Sequence, residues 1–183
     1  MTHETELSTL SLALLGLLAQ QPRSGYDLRK FFATTPMGHF SRSPGAIYPA
    51  LRRLEKEGWI QGAIDNARTL RPRQVFRLTT DGRRRLKKFL ARPVTRADLI
   101  WRADQILLRF GFLGELLGRQ AAIRFLTRFA QEVESYLVEL RGLLESMRDT
   151  MSVYGRLALE SGIEDYEMTA RWARRAIKEL EKK

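Results

Sequence analysis

The hydrophobic and polar positions divide the chain into two halves of different rhythm. Residues 7–20 are rich in leucine and alanine and apolar almost all round, which predicts a short helix buried on several sides. Gln21-Pro22-Arg23 breaks it. Ser24 and Asp27 then have the spacing of a capping box, and Leu28, Phe31 and Phe32 fall on one face of the helix it opens. Pro36 and Gly38 end that helix. Ser43 as N-cap and Pro44 at the first helical position start a third, which runs to Gly58 with Ile47, Leu51 and Leu54 as its inward stripe. Residues 59–64 and 74–78 read as two strands of a hairpin with a long polar tip. Thr80 caps a fourth helix over 81–91, whose apolar face is Leu86, Phe89 and Leu90. Arg92-Pro93 marks a boundary, so the chain reads as domains 1–92 and 93–183.

The second half is helical. Residues 98–117 form one candidate helix, interrupted by Gly111 and Gly114. A long helix is predicted over 119–160, and a last one over 163–183 after a break at Gly162. Ile123, Leu126, Ala130, Val133, Leu137, Leu140, Leu144, Met147, Met151, Tyr154 and Ala158 alternate spacings of three and four, an unbroken heptad seam. A helix of that length would extend about 60 Å. It needs partner helices, and a second copy of the chain is the simplest supply. Leu126, Val133, Leu137, Leu140, Leu144, Met147 and Met151 are therefore the expected dimerisation residues. The fold class is mainly α: helix, helix, helix and hairpin in the order of a winged helix-turn-helix, then a helical dimerisation domain with a long coiled-coil-like helix.

Charge sharpens this picture. The net charge is +11 over 183 residues, and residues 1–95 hold 17 Lys+Arg against 7 Asp+Glu. Nearly all the excess lies in the first half, which suggests a polyanion-binding module. There is no cysteine, which excludes disulfides, thiolate metal sites and cysteine nucleophiles. His3 and His39 lie far apart, and no nucleophile-elbow, phosphate-loop or dinucleotide motif occurs. No enzyme, no metal site and no cofactor is expected. The acidic start does not resemble a signal peptide, and the apolar run 10–19 is too short to span a bilayer, so a cytoplasmic protein is expected.

The candidate chemistry lies on the third helix and the hairpin. Tyr48, Arg52 and Lys56 recur at i, i+4 and i+8 on a face away from the apolar stripe, with Arg53 beside them. Arg42 and Ser43 precede the helix, whose N-terminal amides favour an anionic oxygen. Arg68, Arg71 and Arg73 place cations at the hairpin tip, suited to a minor groove or to flanking phosphates. The structural alternative is that Arg52 and Arg53 pair with Glu55 and Glu57. The functional alternatives are a basic helical adaptor for RNA or an acidic protein, and a membrane-surface protein using the fourth helix. Trp101, Phe110, Phe125 and Phe129 cluster, with Phe112, at the junction of the halves as a candidate effector pocket or simply a core.

The stretch from Ser43 to Ile60, Ser-Pro-Gly-Ala-Ile-Tyr-Pro-Ala-Leu-Arg-Arg-Leu-Glu-Lys-Glu-Gly-Trp-Ile, resembles the recognition-helix signature of the PadR family of bacterial transcription regulators. Arg71-Pro72-Arg73-Gln74-Val75-Phe76-Arg77-Leu78-Thr79-Thr80-Asp81-Gly82-Arg83 resembles that family's wing and following helix, and Ser24-Gly25-Tyr26-Asp27-Leu28 the opening of its second helix. Ala170-Arg171-Trp172 resembles the subfamily with the longer C-terminal domain. The resemblance implies a homodimer on an inverted repeat of double-stranded operator DNA, usually a repressor, often released by a phenolic acid or a drug. Tyr48 matches the family's backbone-contacting tyrosine, and Arg71 and Arg73 match its wing.

Overall fold

The computed structural model describes residues 7–40, 44–65 and 73–182. The chain divides into two compact units, one of residues 1–90 with 107–112, the other of 91–106 with 113–183.

In the first unit, α1 (Thr9–Gln20) buries every residue from Ser11 to Ala19, as an all-apolar helix must. Its N-cap is Ser8, whose Oγ accepts from Ser11 N–H at 3.2 Å. α2 (Gly25–Thr34) opens on the expected box: Asp27 N–H donates to Ser24 Oγ (3.1 Å) while the Asp27 carboxylate accepts from Ser24. Leu28 and Phe32 are buried; Phe31 is half-exposed beneath the guanidinium of Arg23. A 3-10 turn (Pro36–Phe40) follows, and a second one (Pro44–Ala46) leads into α3 (Ile47–Lys56). The α-helix therefore begins three residues beyond Pro44, which opens the 3-10 turn instead; Ser43 lies outside the described residues. Ile47, Ala50, Leu51 and Leu54 form the buried stripe of α3.

β2 (Ile60–Asp65) and β3 (Arg73–Leu78) pair antiparallel from Ile60↔Leu78 to Asp65↔Arg73. A third strand was not foreseen. β1 (Arg23–Ser24) pairs with β3 on its other edge, Arg23 opposite Phe76 and Ser24 opposite Val75, giving the order β1-β3-β2. α4 (Thr80–Leu90) is capped by Thr79 rather than Thr80. Thr79 Oγ1 accepts from Gly82 N–H (2.8 Å) and donates to the carbonyl of Gly58 (2.7 Å), so one hydroxyl ties the helix start to the turn before β2. In this unit's part of the later helix α6, Phe112 packs so closely on Gly16 that a Cβ there would lie 2.2 Å from the ring.

In the second unit, α5 (Arg96–Trp101) starts with a capping box of Thr95 and Asp98. α6 (Ala103–Leu117) runs through both units, so the helix expected over 98–117 breaks at Arg102 and not at Gly111 or Gly114. α7 (Arg119–Ser146) and α8 (Val153–Glu181) form an antiparallel hairpin. This corrects the single helix expected over 119–160. Ser146 Oγ donates back to Leu143 O (2.9 Å), Thr150 Oγ1 to Met147 O (3.3 Å), and Ser152 caps α8 through Gly155 N–H (3.2 Å). Such short polar side chains satisfy the backbone outside a helix and stop it. Gly162, expected to break the chain, lies inside α8. Among the described residues, only Gly58 (φ 75°) and Gly118 (φ 84°) adopt positive φ; the first turns α3 into β2, the second separates α6 from α7.

The hairpin closes the seam from within its own chain. Leu126 and Val133 are fully buried and Leu137 nearly so, with Ile163, Ala170 and Ala173 buried on α8. Phe129 meets Trp172 edge-on at 6.5 Å, and Tyr136 meets Tyr166 at 5.1 Å. Arg174 pairs with Glu134 (2.6 Å) and Arg141 with Glu167 across the two helices. Arg96 fastens α5 to α7, its guanidinium over the Tyr136 ring and bonded to Glu139 and Ser135. Toward the turn the seam opens. Leu140 and Leu144 are half-buried, while Leu143, Met147, Val153, Tyr154 and Leu157 are exposed.

Candidate nucleic-acid interface

The buried stripe of α3 fixes what its other side presents. With Ile47, Leu51 and Leu54 turned inward, Tyr48, Pro49, Arg52, Arg53 and Lys56 are all exposed. The alternative pairing of Arg52 and Arg53 with Glu55 and Glu57 does not occur among the described residues. Glu55 reaches instead to the sheet, where its Oε1 accepts from Gly62 N–H at 2.7 Å. The Glu55 carboxylate thus ties α3 to β2 instead of pairing with the arginines.

Tyr48 leans on the start of α2. A Cβ on Gly25 would lie 2.7 Å from Tyr48 Cε1, so the ring occupies space that only glycine leaves open. Beside it Tyr26 is half-exposed, with the guanidiniums of Arg29 and Arg73 each 5.7 Å from its ring centre. Its neighbours Leu28 and Phe32 set the inward face, and Tyr26 lies off it. Arg73, the first residue of β3, is exposed as expected of the wing. Arg42, Ser43, Arg68 and Arg71 lie outside the described residues. Tyr48, Arg52, Arg53, Lys56 and Arg73 are thus the part of the expected site that the structure describes, with Tyr26 and Arg29 added.

The cations of α4 are occupied differently. Arg83 donates to the carbonyl of Ala19 (3.1 Å), and Arg84 and Arg85 both hold Asp81. The hydrogen bond from Arg84 keeps the Asp81 carboxyl below its ordinary range. Leu86, Phe89 and Leu90 are buried, so the apolar face that a membrane-surface reading requires is not available. No helix of the described residues is long and apolar enough to cross a membrane.

Of the expected effector-pocket residues, Phe125 and Phe129 are buried, Phe110 is half-buried and Trp101 is 80% exposed. Phe125 lines an open cleft of about 550 Å³ in the second unit, together with Pro93, Leu113 and Ala121 and with Arg92, Arg124 and Arg128. Phe129 does not line this cleft; it packs on Trp172.

Residues 14–88 match the Transcriptional regulator PadR-like family, and residues 104–181 match the C-terminal region of virulence activator alpha. The negative transcriptional regulator PadR of Bacillus subtilis (strain 168) is 28% identical over 141 residues, spanning 77% of this chain and 76% of that protein. Similar solved structures include Bacillus subtilis PadR in complex with operator DNA, 27% identical with a TM-score of 0.42, over 93% of this chain and 98% of that one. A PadR-like transcriptional regulator from Bacillus cereus is 27% identical with a TM-score of 0.41, over 94% and 98%. Bacillus subtilis PadR in complex with p-coumaric acid is 23% identical with a TM-score of 0.39, over 94% and 96%.

Proposed function

The chain belongs to the PadR-like family of transcriptional regulators, a non-enzymatic family, and from that premise we propose that it is a cytoplasmic homodimeric repressor of a near-palindromic operator. The recognition helix is α3, reading the major groove through Tyr48, Arg52, Arg53 and Lys56. The wing grips the flanking backbone through Arg73, with Arg68 and Arg71 of the same connection as further contacts. The observation that carries this reading is the exposed cationic face of α3, whose arginines form no ion pair among the described residues while Glu55 is bound to Gly62. The 28%-identical relative is a negative regulator, which supports the same sign of control here.

Pairing is assigned to the open end of the α7–α8 hairpin. Leu126, Val133 and Leu137 serve the hairpin's own core, whereas Leu143, Met147, Tyr154 and Leu157, with Leu144 and Met151 beneath them, offer apolar surface to a second copy. Release by a small aromatic or hydrophobic effector belongs to the same reading. Bacillus subtilis PadR binds p-coumaric acid, and the cleft at Phe125 has apolar walls and cationic neighbours suited to a molecule of that class.

A gel shift tests the core of this reading: the DNA upstream of the protein's own gene against random duplex of equal length. Specific binding should be tighter by three orders of magnitude or so. Arg73→Ala should reduce the log–log salt slope by about 2 for the dimer, about one phosphate per protomer. A specificity ratio near one would instead favour the basic adaptor. Leu143→Glu with Met147→Glu, both on exposed positions, should sediment as a monomer and bind the operator at least about tenfold more weakly. A variant that remains dimeric would remove the hairpin end from the interface.

A further inference from the structure

Tyr26 is the feature that the recognition helix and wing leave unexplained. It is a large aromatic residue, 49% exposed, on the first turn of α2. Arg29 comes from its own helix and Arg73 from the base of the wing, and both guanidiniums lie 5.7 Å from the ring centre. Two like charges on one ring repel each other, so a neutral phenol gathers them only at a cost unless an anion joins them. No carboxylate does so: neither arginine forms an ion pair among the described residues. Asp27 is committed to the Ser24 cap. Each guanidinium centre lies within cation–π range of the ring, and its N–H groups remain able to donate to an outside acceptor.

We propose that Tyr26 is a positioning residue that stacks Arg29 and Arg73 into a two-guanidinium clamp on the DNA backbone phosphates flanking the base pairs read by α3. The proposal rests on the operator-binding reading above and adds to its Arg73 contact a second one from Arg29 and the ring that holds both. Tyr48 of α3 sits against Gly25, the residue before Tyr26, so the start of α2 packs on the helix that reads the bases. Two guanidinium forks held by one ring suit phosphate oxygens, which accept from any direction and carry no sequence information.

The test is fluorescence anisotropy across a salt series on the protein's own upstream duplex and on random duplex. Tyr26→Phe keeps the ring and should bind within about twofold of wild type. Tyr26→Leu should weaken both duplexes alike, by about fivefold per clamp. Arg29→Gln and Arg73→Gln should each lower the salt slope by about 1 per clamp. In the background carrying both glutamines, Tyr26→Leu should have no further effect, which a merely structural role would not produce. The clamp is overturned if Tyr26→Leu is as harmful in that background as in wild type. It is equally overturned if Tyr26→Phe is as harmful as Tyr26→Leu, or if the glutamine variants keep the wild-type slope. Should Tyr26→Leu fail to fold, the phenylalanine and glutamine variants still decide. Wild-type protein that binds neither duplex would sink the operator reading itself; wild-type binding with unaffected variants sinks the clamp alone.

Discussion

Replacing Glu55 with alanine removes the carboxylate that receives Gly62 N–H at 2.7 Å and joins α3 to β2. Hydrogen bonds to a charged group contribute about 1.5–3 kcal/mol when buried. Glu55 and Gly62 are each half-buried, and β2 is an edge strand, so water can reach the freed amide. About 1 kcal/mol is the reasonable loss, which lowers the melting temperature of a unit of this size by about 4–8 °C. Glu55→Gln keeps an acceptor without the charge and should lose about half as much.

The two variants also separate geometry from charge in DNA binding. A carboxylate about 10 Å from a phosphate in salt water repels it by only about 0.2 kcal/mol. That term favours binding by both variants equally and is small. Loosening α3 from the wing base acts only in alanine, and it should cut operator affinity about fivefold while leaving random duplex slightly tighter. Differential scanning fluorimetry and paired gel shifts read both effects. An alanine variant that melts within 1 °C or so of wild type, with its specificity ratio intact, would refute the idea that this bond fixes the recognition helix.

Thr79→Ala should cost about 1–2 kcal/mol, because the cap of α4 and the bond to Gly58 are lost together, whereas Thr80→Ala should change stability by less than about 0.5 kcal/mol; equal losses in chemical denaturation would contradict the cap assignment. The Glu167 carboxyl is held below its ordinary value of 4.5, first by the hydrogen bond from Arg141 and then by the charges of Arg141 and Arg171. A depressed folded pKa means that its stabilising contribution is full above the unfolded value and is lost as pH falls through the lower folded one. Helicity measured through acid titration should therefore decline below about pH 4.5, and Glu167→Gln should flatten that decline. A variant curve parallel to wild type would mean that the pair contributes nothing.

Local chemistry was legible. The Ser24–Asp27 box, the Ile47–Leu51–Leu54 stripe, both wing strands to within a residue and the exposed row Tyr48–Arg52–Lys56 all follow from spacing alone. What escaped depends on distant partners. Thr79 and Thr80 are equivalent caps in sequence, and only the Gly58 carbonyl across the turn selects Thr79. β1 is two residues long and exists because β3 has a free edge. The heptad seam continued through residues 147–152 because a spacing of three or four is preserved across a tight reversal; the polar run Ser146 to Ser152 carried the signal that the apolar count ignored. The setting of Tyr26 was not legible, because one of its two arginine neighbours, Arg73, comes from β3.

The reversal between α7 and α8 changes what the arm requires of its surroundings. A single rod about 60 Å long would expose its whole seam as a monomer and could exist only as an obligate assembly. The hairpin instead supplies its own second helix, so the fold of this arm does not wait on another chain. For the homodimer proposed above, pairing is then an ordinary mass-action equilibrium, whose position follows the amount of protein in the cell rather than its folding. For that dimer, expression level becomes a control variable of its own: well below its dissociation constant, the paired form rises with the square of chain concentration.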